Sequence, residues 1–191
     1  MKSVFTAGVL LLGSALAQAQ SIYWTFSYTG FLHREAGVFL PDQVLSGSFS
    51  GNDGDGDGVL ELPELATLLV GGTDYVACAA GSNDYYYCGV DRFSFSAPTD
   101  LSFSLGSYGS DPEGLVGGGR LIESGSLDYT WQFSPGNTYE RSLVWTDDTL
   151  LQLEPVPEPS MWAMLGLGLG GIALRMRRRG SDTTVRQRTE P

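Results

Sequence analysis

Alternation of apolar and polar residues in short runs is the feature of this sequence that most limits its fold. The clearest run has Leu127, Tyr129, Trp131 and Phe133 at every second position, with polar residues between them. Side chains of a β-strand point to opposite faces in turn, so this spacing predicts strands with one apolar face. The chain offers about eight such strands. The runs cover residues 22–28, 45–49, 93–95, 101–105, 127–133, 139–145 and 150–153.

Segments rich in glycine, proline, serine and aspartate separate these runs, as at residues 97–100, 106–109, 117–119 and 134–137. Many short strands joined by such turns favour an antiparallel sheet. Residues 62–70 are the one good helix candidate. We therefore predict an all-β fold, an antiparallel β-sandwich or barrel-like domain with one short helix.

The first 19 residues have the form of a secretory signal peptide. A positively charged start precedes a mostly apolar run at residues 4–16, and Ala17 and Ala19 supply the small residues of a cleavage site before Gln20. The apolar run is short for a membrane span. We expect cleavage after Ala19; the alternative is an uncleaved anchor.

A second apolar segment lies near the other end, at residues 161–174, and an arginine cluster follows it. As a helix it would be about 21 Å long, short of a hydrocarbon core of about 30 Å. Trp162 suits the outer interface, and arginines are retained on the cytoplasmic side. The pattern predicts a C-terminal transmembrane helix with residues 20–155 outside and residues 180–191 as a polar cytoplasmic tail.

The order of segments at residues 156–179 resembles the PEP-CTERM sorting signal of Gram-negative bacteria. That signal has a Pro-Glu-Pro motif, a short glycine-rich membrane helix and an arginine cluster. The corresponding motif residues here are Pro157, Glu158, Pro159, Arg175, Arg177, Arg178 and Arg179.

The resemblance implies recognition by an exosortase at the inner membrane, removal of the tail, and delivery to the cell surface or extracellular matrix. It also implies association with exopolysaccharide and biofilm matrix. The family's signal usually ends soon after the arginines, whereas this chain continues to residue 191. A plain membrane anchor without cleavage is the alternative.

The predicted extracellular domain is strongly acidic. Residues 20–156 contain four arginines and no lysine against nineteen Asp and Glu residues, a net charge of about −15. Such a surface repels phosphate backbones, so we expect no nucleic-acid partner. It favours solubility and the binding of cations.

A twelve-residue acidic segment at residues 53–64 fits an EF-hand calcium loop. Carboxylates recur at the first, third and fifth positions, and Gly58 stands sixth, where the turn needs a positive φ. Hard oxygen ligands of this number suit calcium. The predicted ligands are Asp53, Asp55, Asp57, the Val59 carbonyl, Glu61 through a water, and Glu64.

The loop differs from a helix–loop–helix unit at its entrance, because residues 44–49 read as a strand. The segment after Glu64 would form the exit helix, and Pro63 inside the loop is unusual. We predict a structural calcium site; the alternative is a flexible acidic turn that binds nothing specific.

Cys78 and Cys88 are the only cysteines. Export would place them in an oxidising compartment, and residues 80–84 between them form a good turn. We predict a disulfide that clamps a hairpin; two free thiols are the alternative.

The sequence carries no catalytic signature, and we expect a non-enzymatic surface or matrix protein. His33 is the only histidine, and nothing around it resembles a nucleophile elbow. One alternative is a carbohydrate-binding module that uses Tyr85, Tyr86 and Tyr87, because aromatic rings stack on sugars. A second is a secreted hydrolase that uses paired carboxylates.

Overall fold

The computed structural model describes residues 21–156 together with Gly166 and Leu169. The predicted signal peptide, the sorting motif and, apart from those two positions, the predicted C-terminal helix lie outside the described residues. In the part that is described, no helix has the length and apolar character needed to cross a membrane.

The domain is one antiparallel sheet of eleven strands, and the predicted all-β antiparallel class is confirmed. Four of the strands, at residues 59–61, 65–70, 73–74 and 117–123, lie outside the alternating runs. The strands are β1 (Ser21–His33), β2 (Val38–Asn52), β3 (Val59–Glu61), β4 (Leu65–Val70), β5 (Thr73–Asp74), β6 (Tyr86–Ser96), β7 (Asp100–Ser110), β8 (Gly117–Glu123), β9 (Leu127–Ser134), β10 (Asn137–Val144) and β11 (Leu150–Pro155).

The sheet curls on itself into a half-barrel. Its strand order is β3-β6-β7-β8-β9-β10-β1-β2-β4-β5, with β11 beside the first half of β1. Strands β3 and β4 stand near opposite ends of this order, yet only the 3₁₀ turn Leu62–Glu64 joins them. The two ends of the sheet are therefore close together, and one face of the sheet lines an interior.

Aromatic rings fill most of that interior. Phe49 of β2 packs edge-on against Phe93 and Phe95 of β6, with ring centroids 5.2 and 4.8 Å apart. Phe26 of β1 lies 5.4 Å from Phe103 of β7. These contacts join the β1–β2 half of the sheet to the β6–β7 half, so large side chains from both halves form one core.

The prediction of a helix at residues 62–70 was wrong. Only Leu62–Glu64 is helical, as a 3₁₀ turn, and the rest is β4. A register shift opposite Gly51 makes Leu65, Leu68 and Val70 the buried residues of the strand. This bulge breaks the alternation and gives a spacing that resembles a helix, although the backbone is paired with β2.

Within residues 21–156, the one α-helix is α1 (Tyr75–Cys78), which a 3₁₀ turn, Ala79–Gly81, continues. Asp74 caps it, because its Oδ1 accepts from the backbone N–H of Val76 at 3.1 Å and of Ala77 at 3.3 Å. The helix follows the tight Gly71–Gly72 turn of the β4–β5 hairpin, where both glycines have positive φ.

Candidate functional site

The acidic loop between β2 and β3 is held by its own carboxylates. Asp53 Oδ1 accepts from the Gly56 N–H at 2.7 Å, and its Oδ2 accepts from the Gly58 N–H at 3.0 Å. Gly58 has φ +85°, as its predicted place in the loop requires. Asp55 and Asp57 accept from N–H groups two residues ahead. The loop therefore turns tightly around Asp53.

Glu64 folds back to the start of the loop. Its Oε1 accepts from the Gly54 N–H at 2.7 Å, and its Oε2 accepts from the Glu61 N–H at 3.2 Å. The 3₁₀ turn Leu62–Glu64 makes this return possible. Pro63 lies at the start of this turn, where its missing N–H is tolerated. The predicted exit helix is absent, because β4 begins directly after Glu64.

Three of the predicted calcium ligands converge. One carboxylate oxygen from each of Asp53, Asp55 and Asp57 lies within 4.8 Å of the others. Val59 and Glu61, two further predicted ligands, belong to β3 and pair with Ser96 and Ser94 of β6. None of the three ion pairs within residues 21–156 involves the loop, so its negative charges face one another without a protein cation.

Cys78 and Cys88 form a disulfide, with Cα atoms 5.6 Å apart. Their pairing was predicted correctly, but the hairpin was not. Cys78 ends α1, and Cys88 is a fully buried residue of β6. The bond therefore ties the short helix to the sheet, because residues 79–81 continue as a helical turn rather than as a strand.

Tyr85, Tyr86 and Tyr87 line one shallow groove at the start of β6, but their rings do not share one face of the sheet. Tyr86 and Tyr87 are successive residues of β6 and so point to opposite faces of the sheet. Tyr86 lies on the interior side, where its hydroxyl is 3.2 Å from Ser107 Oγ. Tyr87 lies outside, and its hydroxyl donates to Asp91 Oδ1 at 2.5 Å, which raises the pKa of Tyr87 to about 12.

A row of aromatic rings crosses the outer face of the sheet. Tyr87 and Tyr108 have centroids 5.0 Å apart, Tyr108 and Trp131 are 6.1 Å apart, and Trp131 and Tyr129 are 5.2 Å apart. Gly119 stands between Tyr108 and Trp131 in register, so no side chain separates those rings. Residues 127–133 form the run with the clearest alternation. Their apolar side chains therefore face away from the core.

The interior of the half-barrel also contains a polar cleft of about 650 Å³ between the β4–β5 turn and strands β7, β8 and β9. Arg120 of β8 forms its floor. Sequence reasoning did not single out these residues. The polar residues of the β9 alternation could have indicated the cleft, because Asp128, Thr130 and Gln132 all face the interior side of the sheet. The polar side chains that line the cleft are Thr73, Tyr75, Ser107, Arg120, Thr130, Gln132, Ser134 and Asn137.

His33, at the end of β1, lies beside Glu35, with Nε2 and Oε2 3.5 Å apart. Glu35 Oε2 also accepts from the Ser142 N–H at 3.0 Å. Hydrogen bonds from Ser142 lower the pKa of Glu35 to about 2. The pair thus links the β1–β2 turn to β10 through a carboxylate that stays ionised at neutral pH.

Comparison with known proteins gives one result. Residues 155–179 match the family model of the PEP-CTERM protein-sorting motif. No curated protein and no solved structure matches the chain significantly. The match spans all seven sorting residues predicted above. The chain carries a PEP-CTERM protein-sorting motif, which implies export, processing by an exosortase and sorting to the cell surface.

Proposed function

We propose that this is a non-enzymatic surface protein that is released from its membrane tail by an exosortase and held in an extracellular polysaccharide matrix. The observation that carries the proposal is the sorting motif at residues 155–179. It begins at Pro155, the last residue of β11. Processing at the motif would leave the folded sheet intact and remove only the segment that follows it.

Two features of the domain suit a protein that is located outside the cell. The disulfide between Cys78 and Cys88 suits an oxidising compartment. A net charge of about −15 over residues 20–156 keeps the released domain soluble and discourages binding to polyanions. A neutral polysaccharide is therefore a better matrix partner for this surface than a nucleic acid or a polyuronate.

We further propose that calcium is a structural cofactor of the loop at residues 53–64. The support is the convergence of three carboxylates together with the return of Glu64 to the loop's first residues. Calcium prefers oxygen ligands of this kind, and millimolar extracellular calcium would suffice for a site of modest affinity. The ion would stabilise the connection between β2 and β3, which flank the loop and are far apart in the strand order of the sheet.

Fractionation of cells tests the matrix assignment. We expect the protein in the matrix of a polysaccharide-producing strain and free in the medium of a strain that cannot make the polysaccharide. A chain with Pro157, Glu158 and Pro159 replaced by alanine is the control and should stay in the cell envelope. The same distribution in both strains would contradict association with polysaccharide.

A further inference from the structure

The polar cleft in the half-barrel is lined by Arg120, which forms an ion pair with the buried Asp128. Asp128 is 5% exposed, and it accepts from Arg120 Nε at 2.8 Å and from Arg120 Nη2 at 2.7 Å. This two-point contact fixes the plane of the guanidinium group. Both charges are already paired, so the cleft presents an oriented polar group with little net charge.

The remaining guanidinium nitrogen, Nη1, lies beside Gly71 of the β4–β5 turn and makes no hydrogen bond to Asp128. A Cβ atom added at Gly71 would lie 3.0 Å from Nη1. Gly71 has φ +59°, and its lack of a side chain leaves the space beside Nη1 free. Two N–H donors of a rigidly held arginine are thereby available to a ligand.

A buried tyrosine also opens into this cleft without a partner. Tyr75 of α1 is 3% exposed and lines the cleft. Within residues 21–156, no side-chain hydrogen bond includes its hydroxyl, and this hydroxyl is not one of the fully buried polar atoms without a partner, so its hydrogen bond is left to water or to a ligand in the cleft. A ligand hydroxyl in the cleft would complete this hydrogen bond.

The other polar groups of the cleft are neutral. Ser107 and Thr130 supply hydroxyls, and Gln132 supplies an amide. Tyr86, which is 39% exposed, lines an adjoining groove that shares Ser107 with the cleft, and its ring offers an aromatic face there. Groups that both donate and accept, arranged around an aromatic ring, match the hydroxyls and apolar ring faces of a sugar.

We propose that the cleft around Arg120 is a binding site for a neutral saccharide. The inference rests in part on the proposed function, because it names the site through which the matrix polysaccharide would be held. It also places carbohydrate recognition in the cleft around Arg120 rather than at the run of three tyrosines. Of these, Tyr86 contributes, whereas Tyr87 lies on the other face of the sheet.

The outer aromatic row is a weaker candidate for the same ligand. The planes of Tyr129 and Trp131 differ by 16° at a centroid distance of 5.2 Å, so these rings overlap face to face. Rings that cover one another stabilise the sheet and leave mainly their edges for a ligand. The row also lacks an oriented guanidinium.

Glycan binding by the exported protein tests the inference. An array of hexasaccharides of glucose, mannose, galactose, xylose and uronic acids identifies the best probe, and calorimetric titration then measures its affinity. We expect a neutral hexasaccharide to bind. Gln132→Ala and Thr130→Val should each weaken binding about tenfold, as the loss of one hydrogen bond predicts. These two variants leave the Arg120–Asp128 pair in place and so avoid a folding defect.

Gln152→Ala, which removes an exposed amide on β11 outside the cleft, is the matched control and should bind normally. A second control, Tyr108→Ala, removes one ring of the outer row. The inference is overturned if no neutral hexasaccharide binds, if only the uronic acids bind, or if Tyr108→Ala rather than Gln132→Ala weakens binding. Matrix retention that persists in any of these cases would leave the proposed function standing without this site.

Discussion

At the scale of a single residue, Asp53 determines the conformation of the acidic loop. Its two oxygens accept from Gly56 and Gly58, which organises the turn without a cation. The same organisation holds the carboxylates of Asp55 and Asp57 nearby, and like charges at this separation repel one another. The folded loop therefore stores a repulsion that a bound calcium ion would relieve.

We predict that calcium raises the thermal stability of the domain and that Glu64→Gln removes most of this effect. Glu64 is the predicted bidentate ligand, and a ligand that binds only the folded state stabilises it by about 2.7 kcal/mol at 100 times Kd. Melting curves with calcium and with a chelator measure the difference. Glu113→Gln, an exposed change outside the loop, should leave it intact. Identical curves for the wild type would contradict the calcium site.

A second residue-scale prediction concerns acid. The pKa of Glu35 is lowered from 4.5 to about 2 by its hydrogen bonds with Ser142. A carboxyl group with a lowered folded-state pKa stabilises the protein above its unfolded pKa, and this contribution is lost as the pH falls toward 2. Glu35→Gln should therefore be less stable than the wild type above pH 4.5, with the gap closing near pH 2. Denaturant unfolding across this range measures the gap, and a constant gap would refute the assignment.

At the scale of elements, alternation located strands better than it assigned their faces. Residues 127–133 form β9, as predicted. Yet Asp128 is buried on the core side while Tyr129 and Trp131 lie outside, because Arg120 of the neighbouring strand pairs with Asp128 inside. The residue pattern of one strand carries no information about which strand lies beside it. The ion pair between Arg120 and Asp128 could therefore not be predicted from the alternation in β9.

The failed helix at residues 62–70 has a similar cause. Leucine and alanine favour helix, and the bulge opposite Gly51 spaces the buried residues of β4 irregularly. The convergence of the Asp53, Asp55 and Asp57 carboxylates, by contrast, could be predicted, because these residues are close in sequence and the geometry of the turn is local. The cleft was missed because it forms only when β4–β5 approaches β8 and β9.

The disulfide acts at this same scale, since it attaches α1 to β6. In the chain-entropy model, closing its 11-residue loop is worth about 3 kcal/mol. Replacing both cysteines by alanine should lower the free energy of unfolding by about this amount. The reducing agent dithiothreitol should destabilise the wild type and leave the double variant unchanged. Equal sensitivity of the two proteins would contradict a stabilising disulfide.

At the scale of the whole molecule, the two ends of the domain meet. Strand β11 pairs with β1 from Trp24↔Pro155 to Thr29↔Leu150, and the Val156 N–H donates to the Tyr23 carbonyl at 2.9 Å. Before processing, the predicted signal peptide and the sorting motif would therefore leave the sheet at the same place. The two predicted membrane segments would then hold the domain against one membrane surface without distorting the sheet.

From this arrangement we predict that the chain is cleaved at or near residues 157–159. Pro157 and Pro159 fix their own φ angles and keep the preceding residues extended, so the segment after β11 resists joining a helix. The sequence therefore predicts an extended segment between the sheet and the predicted membrane helix, and such a segment would suit a processing enzyme. Intact mass of surface-extracted protein should show the loss of residues 160–191 in the wild-type strain and their retention in a strain without the exosortase. Retention of these residues in both strains would make the chain an ordinary membrane-anchored protein.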